Sequence, residues 1–141
     1  FENMCISLKP GGKLYALFSS ELMNPFRYSF MKVKESGQFK SLENFVSPID
    51  LQQLRNLKQK LQHLPFKRLS IEKNSVSIML PSLDVFRKFI LGINFFQGQI
   101  PDHEIAAIAD AMVESYQQMC QRKYNGQLFY ISRPYFVSAV K

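Results

Sequence analysis

The stretch Leu8-Lys9-Pro10-Gly11-Gly12-Lys13-Leu14-Tyr15-Ala16-Leu17 changes the chain from one backbone geometry to another within a few residues. Asn3 to Ser7 read as the tail of a helix, and Lys13 to Phe18 as an apolar strand. Pro10 cannot continue a hydrogen-bonded helix and pushes Lys9 out of the helical region. Gly11 and Gly12 tolerate the positive φ values that a tight helix-to-strand reversal requires. The stretch predicts an α/β unit. Phe1 is not an initiator residue, so the chain is expected to enter that unit midway.

Downstream, the elements follow from spacing. Glu21 to Phe30 is a ring-rich loop or short helix leaving a strand end, and Lys32 to Asn44 shows neither period. Ser47-Pro48-Ile49-Asp50 forms a helix start, with Ser47 as cap and Pro48 in the first helical position. Leu51, Leu54, Leu57 and Leu61 follow at helical spacing until Pro65. Leu69 and Ile71, then Val76, Ile78 and Leu80, alternate as strand residues, either one bulged strand or two paired ones. Pro81-Ser82 opens a second helix running into Phe95-Phe96 and broken at Gly98. Pro101-Asp102 opens a third, reaching about Lys123. Asn125-Gly126 signals a tight turn, and Leu128 to Val140 is strand-like, interrupted by Tyr130, Ser132 and Pro134.

Composition bounds the function. With 141 residues, 46% of them hydrophobic, the chain suits one domain or part of one. No run is long and apolar enough for a membrane span, and no secretory signal pattern opens the chain, so a cytoplasmic protein with no membrane partner is expected. Cys5 and Cys120 have no paired spacing that would suggest zinc or a disulfide. Of the net charge of +7, the surplus lies between residues 9 and 73, where twelve Lys or Arg face five acids. These cations form no compact run interleaved with exposed aromatics, so a solvated face is the better reading than a nucleic-acid surface.

A helix, the Leu8-Lys9-Pro10-Gly11-Gly12 turn and an apolar strand together resemble the junction into the fifth strand of class I S-adenosylmethionine-dependent methyltransferases. The element order across the whole chain is similar to the second half of that fold. The resemblance implies an α/β architecture, the C-terminal part of a Rossmann-like methyltransferase fold, over residues 1–141 as a single partial domain. It would hold strands five, six and seven, the last antiparallel between the other two, with a helical insertion at about 82–123. Two positions depart from the pattern: Leu64-Pro65-Phe66 stands where the family often has Ala-Gly-Phe, and Pro134 falls in an expected central strand, where it removes a ladder donor.

The activity so implied is methyl transfer from S-adenosylmethionine to a small-molecule acceptor. The glycine-rich loop and ribose-binding acid belong in the family to earlier strands, so no cofactor-binding, catalytic or metal-binding residue is assigned, and these residues alone are expected to be inactive. The acceptor wall is expected from the strand-exit residues Phe18, Ser19, Asn24, Phe26 and Tyr28 and from Phe95 and Phe96. Phe86 and Phe89 share helical register with Leu83 and Ile90 and read as core, as do Met112, Tyr116, Met119 and Cys120. His63 and His103 read as surface residues. The alternative is a non-catalytic α/β module binding a protein or anionic partner through its basic first half. If the chain is such a fragment, the strand from Lys13 to Phe18 lies at the edge where the family's fourth strand belongs, and the isolated fragment is expected to self-associate through it.

Overall fold

The computed structural model describes residues 2–19, 24–48 and 56–141. In chain order they form α1 (Glu2–Ser7), β1 (Lys13–Ser19), α2 (Pro25–Glu35), α3 (Leu57–Gln62), β2 (Arg68–Lys73), β3 (Val76–Met79), α4 (Leu83–Gly92), α5 (Asp102–Tyr124), β4 (Phe129–Ser132) and β5 (Pro134–Val140), with a single 3-10 turn at Lys40–Leu42. The protein is a mixed α/β chain with antiparallel strand pairing. It packs as two compact units, one of residues 1–21, 49–76 and 132–141 and the other of 22–48 and 77–131.

In the first unit, α1 is followed by the Pro10-Gly11-Gly12 turn. Gly11 has φ +79°, and a Cβ on Gly12 would stand 2.8 Å from the carbonyl oxygen of Lys9. One glycine supplies the positive φ and the other the close backbone approach. β1 then enters a three-stranded sheet of order β1-β5-β2. β5 runs antiparallel to both neighbours, which makes β1 and β2 parallel to each other.

Register sorts the side chains of this sheet. Leu14, Ala139 and Leu69 form one cross-strand row, and Ala16, Val137 and Ile71 the next. Val137 and Ala139 are buried there, and α3 lies against β2. Tyr15, Leu17 and Phe136 take the opposite face, where Tyr15 and Phe136 stack with ring centroids 6.1 Å apart. Pro134 is the first residue of β5, so its missing N–H falls at the end of the ladder, while its carbonyl still accepts from Asn74 N–H at 2.9 Å.

The second unit is built on α5, which packs against both α2 and α4. Ile108, Met112, Tyr116, Met119 and Cys120 are buried along one side of it, as the helical spacing predicts. Arg87 Nε reaches the carboxylate of Asp110 at 2.5 Å, tying α4 to α5. Two further links hold the segment after α2. Ser41 donates to Glu104 Oε2 at 2.5 Å, and the Gln99 side chain both accepts from Val46 N–H (2.9 Å) and donates to Val46 O (3.0 Å).

Several sequence expectations need correction. Of the two readings of the ring-rich stretch, loop or short helix, the helix is the one formed: Asn24 caps it, its side chain accepting from Arg27 N–H at 2.8 Å, and Pro25 takes the first turn. α2 continues to Glu35, into the stretch where no period was evident. α4 ends at Gly92, with Ile93 already extended, so Phe95 and Phe96 follow the helix and do not belong to it. β2 and β3 are two strands in different sheets, β3 pairing with β4. Arg133 separates β4 from β5. The helix start at Ile49-Asp50 and Leu51 and Leu54 lie outside the described residues, whereas Leu57 and Leu61 fall in α3. The expected insertion near 82–123 holds α4 and α5, and the unit containing it also includes α2 and the 3-10 turn.

Candidate functional site

The second unit holds an apolar pocket of about 220 Å³, lined by Ile78, Leu80, Val85, Phe86, Phe89 and Tyr130. Its floor and walls come from three elements. Leu80 follows β3 and donates its N–H to Leu128 O at 2.8 Å, which holds it beside the strand carrying Tyr130. Val85, Phe86 and Phe89 project from α4, where residues one turn apart share a face. Phe86 is fully buried against Tyr116, with ring centroids 4.2 Å apart, and fixes the floor. Phe89 is 43% exposed and stands edge-on to Tyr130 at 5.9 Å, forming part of the rim.

This lining can do one thing well. It presents rings and branched aliphatic chains with no cation or carboxylate, and so favours an apolar portion of a ligand through surface removed from water, worth about 25 cal/mol per Å². The only ionisable group among the six is the Tyr130 phenol. No cluster of three or more His, Cys, Asp or Glu able to hold a metal ion occurs among the described residues.

The sequence-predicted wall is distributed over the molecule. Phe18 and Ser19 are the last two residues of β1, in register with Tyr135 and Pro134, in the first unit. The other five lie in the second. Asn24 serves as the α2 cap. Phe26 is buried and meets Phe95 edge-on at 5.0 Å and Phe89 at 5.9 Å, so it stands behind the pocket rim. Phe95 also meets Phe30 and Phe96, each at 5.1 Å, and Phe96 is buried. Phe26, Phe95 and Phe96 are thus brought together, but as core.

Tyr28 points elsewhere. It is half-buried under Lys123, whose Nζ lies 5.9 Å from the ring centroid, and lines a polar groove of about 360 Å³ with Lys32, Ser36, Gln118 and Arg122. The residues that sequence reasoning missed are Ile78, Leu80, Val85 and Tyr130; Phe89, assigned to the core, belongs on the rim. The available signal was the strand alternation of Ile78 and Leu80, which marks one face but not whether that face is filled.

Beneath the pocket, burial pushes the Tyr116 hydroxyl well above the ordinary phenol range, and the adjacent Cys120 thiol adds to the shift. The Cys120 thiol is itself raised by burial, against the opposing pull of the neighbouring Tyr116 hydroxyl. Both groups are therefore neutral at physiological pH and act as packing, not as nucleophile or base. No helix among the described residues is long and apolar enough to cross a membrane. No model of a known protein family matches the sequence, and no curated protein is significantly similar to it.

Proposed function

We propose that the chain is the C-terminal part of a Rossmann-like, class I S-adenosylmethionine-dependent methyltransferase domain, and that it supplies the acceptor-side wall for methyl transfer to a small molecule. The observation that carries this reading is the first unit's sheet. A Pro-Gly-Gly turn leads into β1, β2 runs parallel to it, and the last strand lies antiparallel between them. That order and those directions are the ones the resemblance implies for strands five, seven and six.

The chain's own residues do not fit the main cofactor site. Gly11 and Gly12 carry a helix into a strand, whereas a phosphate- or nucleotide-cradling glycine loop carries a strand into a helix. The contribution of this segment is therefore to the acceptor. Ile78, Leu80, Phe89 and Tyr130 receive its apolar part and keep water from it, with Phe26 supporting Phe89 from behind. Methyl transfer asks chiefly for alignment of nucleophile and methyl carbon, so a wall without an acid or base suits the role.

Calorimetric titration with S-adenosylmethionine tests the reading, using the 141-residue chain and a longer polypeptide that includes the strands this reading expects before it. The expected result is no binding by the former and binding with methyl transfer by the latter. Tight binding by the 141 residues overturns the division of labour. A longer polypeptide with no affinity for the cofactor overturns the family.

A further inference from the structure

The apolar pocket of the second unit is selective in size and in charge. All of its lining residues come from 78–130, a stretch that lies within one unit, so its shape is set by that unit's own packing. Phe86 is fully buried at the floor, whereas Ile78, Val85 and Phe89 stay partly open to solvent and form the mouth. The ring centroids of Phe86 and Phe89 lie 6.4 Å apart, those of Phe86 and Tyr130 6.2 Å and those of Phe89 and Tyr130 5.9 Å, which closes one side as a continuous aromatic wall.

Charge is excluded twice. None of the lining side chains is a cation or a carboxylate. Among the elements that carry them, β3 and β4 have no charged residue, and each of the three on α4 is paired within the protein: Asp84 with Lys88 at 2.8 Å, and Arg87 with Asp110. A carboxylate or ammonium drawn into the bowl would give up water without gaining a counter-charge. Volume sets the size. An apolar cavity of about 150 Å³ holds the six carbons of benzene, so at the same packing about 220 Å³ holds about nine.

We infer that this pocket is a size-limited binding site for the uncharged hydrocarbon end of a small molecule, about nine carbons of it, with any polar or charged group left in water beyond the mouth. A ligand shorter than this must bury its head group along with its chain, and a longer one need not. Charge is therefore penalised in short ligands and tolerated in long ones. The identity of this ligand as the methyl acceptor rests on the proposed function, whereas its binding needs no cofactor.

Calorimetric titration of the 141-residue chain with the straight-chain primary alcohols from butanol to dodecanol, without S-adenosylmethionine, is the test. Affinity should rise about fourfold for each added CH₂ up to about nine carbons and then level off. Hexanoate and hexylammonium should bind at least roughly tenfold more weakly than hexanol, while dodecanoate should come within about threefold of dodecanol. Val85→Phe and Leu80→Phe, each verified by circular dichroism to keep the fold, add carbon to the wall and should bring the levelling-off about two carbons earlier. No binding by any alcohol, affinity still climbing at dodecanol, hexanoate equal to hexanol, dodecanoate as handicapped as hexanoate, or the parent's cut-off in both folded variants would each overturn the inference. A longer polypeptide that shows this cut-off but neither binds S-adenosylmethionine nor transfers methyl groups would count against the proposed function instead.

Discussion

The Nζ of Lys141 lies 2.8 Å from the carbonyl oxygen of Leu8, and the same ammonium donates to Cys5 O at 2.8 Å and Ile6 O at 3.3 Å. The Lys141 ammonium thus collects carbonyls at the C-terminal end of α1 and just past it, where the helix dipole is negative. The turn into β1 is closed by the same strand end, since Gly11 N–H donates to Lys141 O at 2.8 Å.

Lys141→Met, which keeps the stem but removes the charge and donors, should lower stability by about 1 kcal/mol. Urea unfolding monitored by circular dichroism measures this. An unchanged midpoint would mean that water satisfies those carbonyls as well as the ammonium does.

Two phenylalanines one turn apart on α4 should behave very differently. Phe86→Ala removes a fully buried ring and should cost about 3–5 kcal/mol, whereas Phe89→Ala takes a ring from the rim and should cost roughly 1 kcal/mol. An apolar fluorescent probe should bind the parent chain and lose most of its enhancement with Phe89→Ala. Equal costs at the two positions would return Phe89 to the core.

Alkaline stability should depend on Tyr116. Its folded-state pKa is raised by burial, so the folded state holds its proton while the unfolded chain releases it from about pH 10 upward. This contribution is intact below the unfolded-state value and is eroded as pH rises from there towards the folded one. Chemical unfolding at neutral pH and above pH 10 should show a smaller alkaline loss for Tyr116→Phe than for the parent. Equal losses would show that the phenol is not protected.

Gln99 mimics a strand partner for Val46, accepting from its N–H and donating to its carbonyl. Gln99→Glu keeps the acceptor and removes the donor. It should cost about 1 kcal/mol and speed amide exchange of the residues around Val46. Exchange rates equal to the parent's would mean that Phe45, buried beside Val46, anchors the segment without it.

Among the sequence-derived site residues, Tyr28 separates two uses. In methyl-transfer assays of the longer polypeptide, Tyr28→Ala should leave turnover nearly unchanged, because Tyr28 faces the polar groove, while Phe89→Ala should raise the acceptor KM several-fold. The reverse order would move the acceptor to the groove between α2 and α5.

The local features were legible because their causes are local. Proline and two glycines between Lys9 and Lys13 allow little except a helix-to-strand turn. The Ile108, Met112, Tyr116 and Met119 spacing buries one face of α5 whatever packs against it. Asn125 at φ 54° and Gly126 at φ 84° form the turn their residue types predict. α2 was less legible, since its decisive signal, the Asn24 cap before Pro25, sat within a crowd of rings. The break of α4 after Gly92 was overlooked although Gly92 and Asn94 both mark a helix end, because Ile93, Phe95 and Phe96 continue the apolar composition past them.

The sequence by itself determined where the chain turns, which face of each helix is apolar and that β1 is an apolar strand, since these follow from backbone sterics and side-chain periodicity within a few residues. Only the tertiary structure decided that Phe26, Phe95 and Phe96 fill space while Phe89 and Tyr130 border it. Whether an apolar residue is core or wall depends on whether a neighbour distant in sequence arrives to cover it. Ile78 and Leu80 meet Phe89 and Tyr130 at an open pocket, and Phe26 meets Phe95 with no space between.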